Sequence, residues 1–438
     1  METKIVEAMN SPKELEMLYR ENPDKFFQAF PSVFASHPES AIFQVWQERL
    51  SYEAEGEKRQ AVSAWSFKNI LILVLLIAIA GTIFKLPDYF KSIDDSWFYS
   101  RNLALVFIVP LIAYFAQRTK SPKFIILVFL ITAGSLIYLN LLPSRGEDWS
   151  DRYEFSEKYG AFDDALTNAE LHIPLFLWLV AGVSFAGKEW KNSSVRMGFL
   201  RYNGEVIIYT TILIIGGGIL TAITLALLGF IEKSYELSEW YQNYAMMYGF
   251  VATPIIATFL LDKVIDKRIN IAPTIAKFFT PLFLITTFAY LIIMVVYQKN
   301  PFGDREYLVA LNILLIVVLG LLIFTIAERN IASPPNTGDY LNIGLALTTI
   351  ILDAIALSAS VFRTASDIYG LTPNRIAILG INLLVFVHLL GILINYVRFV
   401  WKDKPFEKLE NWIAGYLPYY AVWAILVSIL LPIFFWYK

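Results

Sequence analysis

Apolar residues in this chain are gathered into long, nearly unbroken blocks rather than short stripes. Blocks of about 18 or more such residues are the signature of helices that cross a bilayer. About eleven such blocks occur, near 68–86, 98–116, 123–143, 171–187, 206–231, 241–261, 275–297, 307–327, 341–362, 376–399 and 412–436. The second and fourth are short or interrupted by Pro110 and Pro174. The pattern predicts an all-α polytopic membrane bundle over residues 65–438, preceded by a small helical cytoplasmic module over 1–64.

The module is read from its punctuation. "SPKELEMLYR", "NPDKFFQAF" and "HPESAIFQVWQERL" each carry a Pro where a helix can begin, since the first helical N–H needs no partner. Ser11 and Asn22 precede two of these prolines as caps. So short a segment is expected to have a weak core of its own and to pack on the membrane part as well.

Composition fits the block pattern. Of 438 residues, 57% are hydrophobic and 17% charged, where a soluble domain has about 45–50% and about 25%. Net charge is −2, which argues against a nucleic-acid partner. With no Cys there is no disulfide and no thiol chemistry. No signal-peptide pattern opens the chain. The histidines, His37, His172 and His388, are too scattered for a three-His metal site, and neither metal nor cofactor is expected. No P-loop, GxSxG, HExxH or GxGxxG pattern is present, so enzymatic chemistry ranks low. Cations set the orientation. With the N-terminus inside, the first segment and the inner loops hold about 22 Lys and Arg, against about twelve outside. The C-terminus then lies outside, as does the acidic loop near 145–170.

Candidate chemistry lies in the last third. Asp353 stands about 18 Å and about 14 Å from the two ends of its span, near the bilayer midplane. An acid there costs about 2.5–3.5 kcal/mol on insertion scales unless it faces protein or water. Asn342, Thr349, Asp353, Ser360 and Thr364 fall on one side of the helix, so a polar stripe runs along it. His388 lies about 18 Å from either end of the next span. Consecutive helices on a short loop are antiparallel neighbours, which puts Asp353 and His388 at one depth, with direct contact left open. Asn395 shares the His388 face. These residues form the candidate substrate or proton site; buried polar pairs that merely hold helices together are the alternative. Gly216, Gly217 and Gly218 read first as a close-packing surface and second as a hinge. Pro254 and Pro281 mark kinks. Glu328 and Arg329 read as a pair at the membrane edge. Gly370, Thr372 and Pro373 build a turn and a cap, with Arg363 and Arg375 at its flanks.

That turn carries a resemblance. "RTASDIYGLTPNRIAILGINLLVF", preceded by "AERNIASPPNTGDYLN", resembles the C-terminal hallmark of the domain-of-unknown-function 4153 family of bacterial polytopic membrane proteins. It rests on Arg363, Tyr369, Gly370, Leu371, Thr372 and Arg375 and covers roughly the last two-thirds of the chain. It implies a bacterial inner-membrane location and brings no established activity. Two function classes follow. One is a transporter or permease for a small molecule or ion, proton-coupled through Asp353. The other is a non-transporting scaffold or sensor that recruits a cytoplasmic protein partner through residues 1–64.

Overall fold

The computed structural model describes residues 1–51, 66–119, 121–143, 157–228, 235–264, 272–296, 302, 305–329, 331, 333–366 and 370–435. Most of the acidic loop, Tyr369 and residues 52–65 lie outside that range. The described chain is helical throughout, and it divides into two units. Residues 1–73 with 262–265 form the first, and the rest of the chain forms the second.

The first unit opens with α1 (Glu2–Glu7), α2 (Pro12–Glu21), α3 (Pro23–Ser36) and α4 (41–51). Ser11 accepts from the Glu14 N–H and Asn22 from the Lys25 N–H, with a proline at the first helical position each time. The third expected start differs. Helix α4 opens after Ser40, whose hydroxyl accepts from the Phe43 N–H, rather than at Pro38. The core is denser than its length suggested. Ile5, Leu15, Tyr19, Phe26, Phe30, Phe43, Trp46 and Leu50 are all buried in one cluster. Phe26 meets Trp46 at 5.1 Å between ring centres, and Phe30 meets Phe43 edge-on at 5.5 Å. Such aromatic pairs contribute about 0.5–1.5 kcal/mol each beyond the area they bury. Arg49 covers the cluster, lying over Trp46 and Tyr19 while it binds Glu16. Hydrogen bonds from Arg49 and then Arg20 hold the Glu16 carboxyl below its ordinary range.

The membrane helices follow. They are α5 (Phe67–Phe84), the short α6 (Leu86–Tyr89), α7 (Asp95–Ala116), α8 (Pro122–Leu141), α9 (Glu157–Ala186), α10 (Ser193–Leu228) and α11 (Tyr235–Trp240). After them come α12 (Met247–Phe259), α13 (Ala272–Val296), α14 (Arg305–Ala327), α15 (Thr337–Ser366), α16 (Pro373–Lys402), α17 (Glu407–Ile425) and α18 (Leu431–Phe435). One-turn π segments join α11 to α12 and α17 to α18, so each pair forms one long rod. Among the described residues, ten helical segments are long and apolar enough to cross a membrane. The eleventh expected span is α14, whose apolar part, Leu311–Ala327, is shorter. The chain is therefore an all-α, multi-pass membrane bundle.

Helix α9 is the hub, packed against α7, α8, α10, α16, α17 and α18. Helix α15 sits among α13, α14 and α16. Two glycines bring α16 close to the next rod: a Cβ on Gly380 would collide with the indole of Trp423, and one on Gly391 with that of Trp412.

The glycine run corrects an expectation. Gly216, Gly217 and Gly218 are exposed within an unbroken α10, and a Cβ on any of them would meet nothing within 4 Å. They neither pack nor break the helix. In lipid a broken backbone has no water to satisfy it, so the helical bonds persist through three glycines. Prolines are handled locally. Pro254 has no N–H for the Phe250 carbonyl, and the Thr253 hydroxyl donates to it instead at 2.7 Å. Pro418 likewise frees the Ala414 carbonyl, which accepts from the Arg196 guanidinium at 2.8 Å.

Phe30→Ala should destabilise the first unit by about 3–5 kcal/mol. Hydrogen exchange on the full-length protein should then show faster exchange across residues 1–51.

Candidate functional site

Helix α15 carries an apolar face and a polar one. Leu352, Ala356 and Ala359 pack with Leu308, Leu311 and Leu315 of α14. On the other side Asn342, Thr349, Asp353 and Ser360 are buried, and Thr364 is half-buried. The stripe seen in the sequence thus lies inside the bundle.

Its first turns are tightly bonded. Asp339 accepts a two-pronged contact from Arg329, at 2.7 Å from Nε and 3.0 Å from Nη2. The same guanidinium donates to the carbonyls of Ser333 and Pro334 and lies against the rings of Phe399 and Phe406. The Tyr396 hydroxyl of α16 accepts from Asn342 Nδ2 at 2.9 Å and donates to Asp339 Oδ1 at 3.5 Å. This corrects the expected pairing of Glu328 with Arg329. Arg329 instead reaches forward to the buried Asp339, and Glu328 lies 3.7 Å from Arg201 of α10.

The middle of the stripe is different. Asp353 is fully buried, and neither of its carboxyl oxygens has a hydrogen-bond partner. Asn342 Oδ1 and Ser360 Oγ on the same helix are also buried without partners. Thr349 satisfies itself by donating to the Leu345 carbonyl at 2.6 Å. On α16, His388 is fully buried. Its Nδ1 lies 3.0 Å from the Tyr420 hydroxyl of α17, and its ring stacks on Tyr416 at 4.4 Å. Its Nε2 has no partner. Asn395 uses its amide N–H to bind the Gly391 carbonyl, one turn back on its own helix.

Asp353 and His388 therefore share no hydrogen bond. The Asn342–Tyr396 contact ties α15 to α16 at one end of the stripe. Tyr420 of α17 is the hydrogen-bond partner of His388. Sequence reasoning missed this phenol. Its signal was Trp412, Tyr416 and Tyr420, which recur every four residues and so share one face of α17.

An isolated ionised carboxylate in a dry interior is prohibitively costly, so a proton or water must accompany Asp353. Each unmade buried hydrogen bond costs about 1–3 kcal/mol. An acid, an imidazole and a phenol gathered there can accept and pass a proton. No nucleophile is arranged against a base, and no cluster of three metal-ligating side chains occurs among the described residues. Gly370 has the positive φ expected of its turn, and Thr372 caps α16. Arg375 donates to the Gly370 carbonyl.

No protein-family model, curated protein or solved structure matches this chain. The resemblance to the domain-of-unknown-function 4153 family thus rests on the quoted motif alone.

Two predictions follow from the ion pairs. Arg329→Met should cost about 3–5 kcal/mol by stranding Asp339, and adding Asp339→Leu should recover part of the loss, as read by thermal unfolding in detergent. Burial, aided by Glu205, pushes the Glu328 carboxyl up to about 7 against the opposing pull of Arg201. Between about 4.5 and about 7 the folded state then binds more protons than the unfolded one. Stability should accordingly fall as pH rises through this window, and Glu328→Gln should flatten the dependence.

Proposed function

We propose that this protein is a transporter or permease for a small solute, with Asp353 as the carrier of the coupling proton. One observation carries the reading: a fully buried carboxyl group, mid-span, with both oxygens unpartnered. Charged or acidic groups at this depth serve ion and proton paths in membrane proteins far more than they serve packing. The buried Ser360 hydroxyl and the Asn342 carbonyl extend the line of unpaired polar atoms along α15, and His388 Nε2 adds one from α16. The Tyr420 phenol extends the polar line from His388 through its hydrogen bond to that imidazole. The cation distribution and the quoted motif support a bacterial inner membrane as the location, with the N-terminus cytoplasmic.

A second reading has its own support. The first unit holds an aromatic core of its own, which suits a platform for a cytoplasmic partner. In that case the membrane bundle anchors or senses and carries no solute.

The full-length protein in liposomes, with a trapped pH dye, separates the two readings. Panels of amino acids, sugars and carboxylates are applied as gradients. At least one solute should drive a proton flux, and Asp353→Asn should reduce it by about a hundredfold or more. Dicyclohexylcarbodiimide, which modifies protonated carboxyls in apolar surroundings, should label Asp353. Solute-linked proton movement that survives Asp353→Asn intact would overturn the coupling role. Loss of the cellular phenotype on deletion of residues 1–51, with no solute flux at all, would favour the platform.

A further inference from the structure

A groove of about 590 Å³ opens between α16 and α17, and Asp353 and His388 are not among its lining residues. Its walls have an order. Along α16 they run Val387, Leu390, Ile394, Asn395 and Arg398. Helix α17 supplies Trp412, Asn411 and Lys408. The loop between the helices, residues 403–406, is short, so the helices run antiparallel. Both walls therefore read in the same direction, from apolar to amide to cation.

The stripe on α16 covers about 16 Å from Val387 to Arg398, comparable to a lipid headgroup, its glycerol and the first part of an acyl chain. Val387 and Ile394 are exposed, though they are large and apolar. Gly391 lets the Trp412 indole lie flat against α16, where Nε1 donates to the His388 carbonyl at 3.1 Å. The indole thereby becomes a fixed wall. Arg398 and Lys408 are exposed, and the side chain of neither makes a hydrogen bond or ion pair among the described residues. Asn411 is likewise unpartnered, and Asn395 keeps its carbonyl oxygen for a donor after its N–H is used. Between 398 and 408 lie four cations and two carboxylates, so the rim is net positive.

From this order we infer that the α16–α17 groove binds an anionic phospholipid of the surrounding bilayer. Arg398 and Lys408 clamp the phosphate, because a guanidinium and an ammonium together match its charge and its acceptor oxygens. Asn395 and Asn411 meet the polar glycerol region. The acyl chain lies along Ile394, Leu390 and Val387, against Trp412. Basic pockets between spans at the headgroup level are recognised ligands of anionic lipids, and here the apolar continuation selects a lipid over a free phosphate. The inference does not rest on transport.

Full-length protein, delipidated in a neutral detergent, can be titrated with phosphatidylglycerol, phosphatidylcholine and inorganic phosphate. Native mass spectrometry reads the adducts. Phosphatidylglycerol should bind about tenfold or more tightly than phosphatidylcholine, and millimolar phosphate should not displace it. The double variant Arg398→Gln, Lys408→Gln should remove that preference. Ile394→Trp, which fills the apolar end and leaves the charges in place, should also weaken binding. Near-equal affinity for the two lipids would overturn the proposal, as would a preference unmoved by the double variant. Full displacement by phosphate would assign the rim to a free anion and sink the lipid reading as well. A wild-type preference that Ile394→Trp leaves untouched would do the same.

Discussion

The fork between Arg329 and Asp339 sets much of what lies above it. It buries a charge pair at the first turn of α15 and lends an oxygen to Tyr396. Tyr396 in turn holds Asn342, and with it the register of α15 against α16. Buried pairs of this kind add little net stability over apolar residues, but losing one partner is expensive. Their value here is positional. They hold the start of α15 against α16, while Asp353, further along the same helix, has no bonded partner.

Low dielectric explains the remaining design. Where a proline removes an N–H, a nearby Thr hydroxyl or Arg guanidinium takes the orphaned carbonyl. Where glycines could loosen a helix, the absence of competing water keeps its bonds. Amides pair across helices, as between Asn102 and Asn140 and between Asn312 and Asn382. Arg101, almost wholly buried, binds Glu170 and the carbonyls of Leu139, Leu142 and Pro143. Other buried polar atoms also lack a hydrogen bond, Ser184 Oγ and Trp423 Nε1 among them, but Asp353 leaves both oxygens of an acid bare.

Much of this was legible in the sequence. Hydropathy gave the helices, because a bilayer demands long apolar runs whatever the packing. The polar stripe on α15 was legible because helical periodicity alone places residues on one face. Contact was less so. An equal count from the ends of two spans says nothing of helix rotation, and Asp353 and His388 share no hydrogen bond. Tyr420 was missed because its helix is rich in aromatics, which hide the partner of His388 among interfacial rings. Arg329 was assigned to its neighbour Glu328 because sequence adjacency says nothing about which way a chain turns after a helix ends. The glycine run misled because small residues permit close packing without requiring it.

Helix α10 has 36 residues and so spans about 54 Å, against a hydrocarbon layer of about 30 Å. Its first turns must therefore stand proud of the acyl region, and they carry Arg196 and Arg201. Arg196 holds the Ala414 carbonyl of α17, and Arg201 holds the Ala327 carbonyl at the end of α14. One rod thus adds charged clasps at both helices, which also share a buried apolar cluster. Prising α14 and α17 away from α10 at this rim would strip two guanidinium groups of their carbonyl partners.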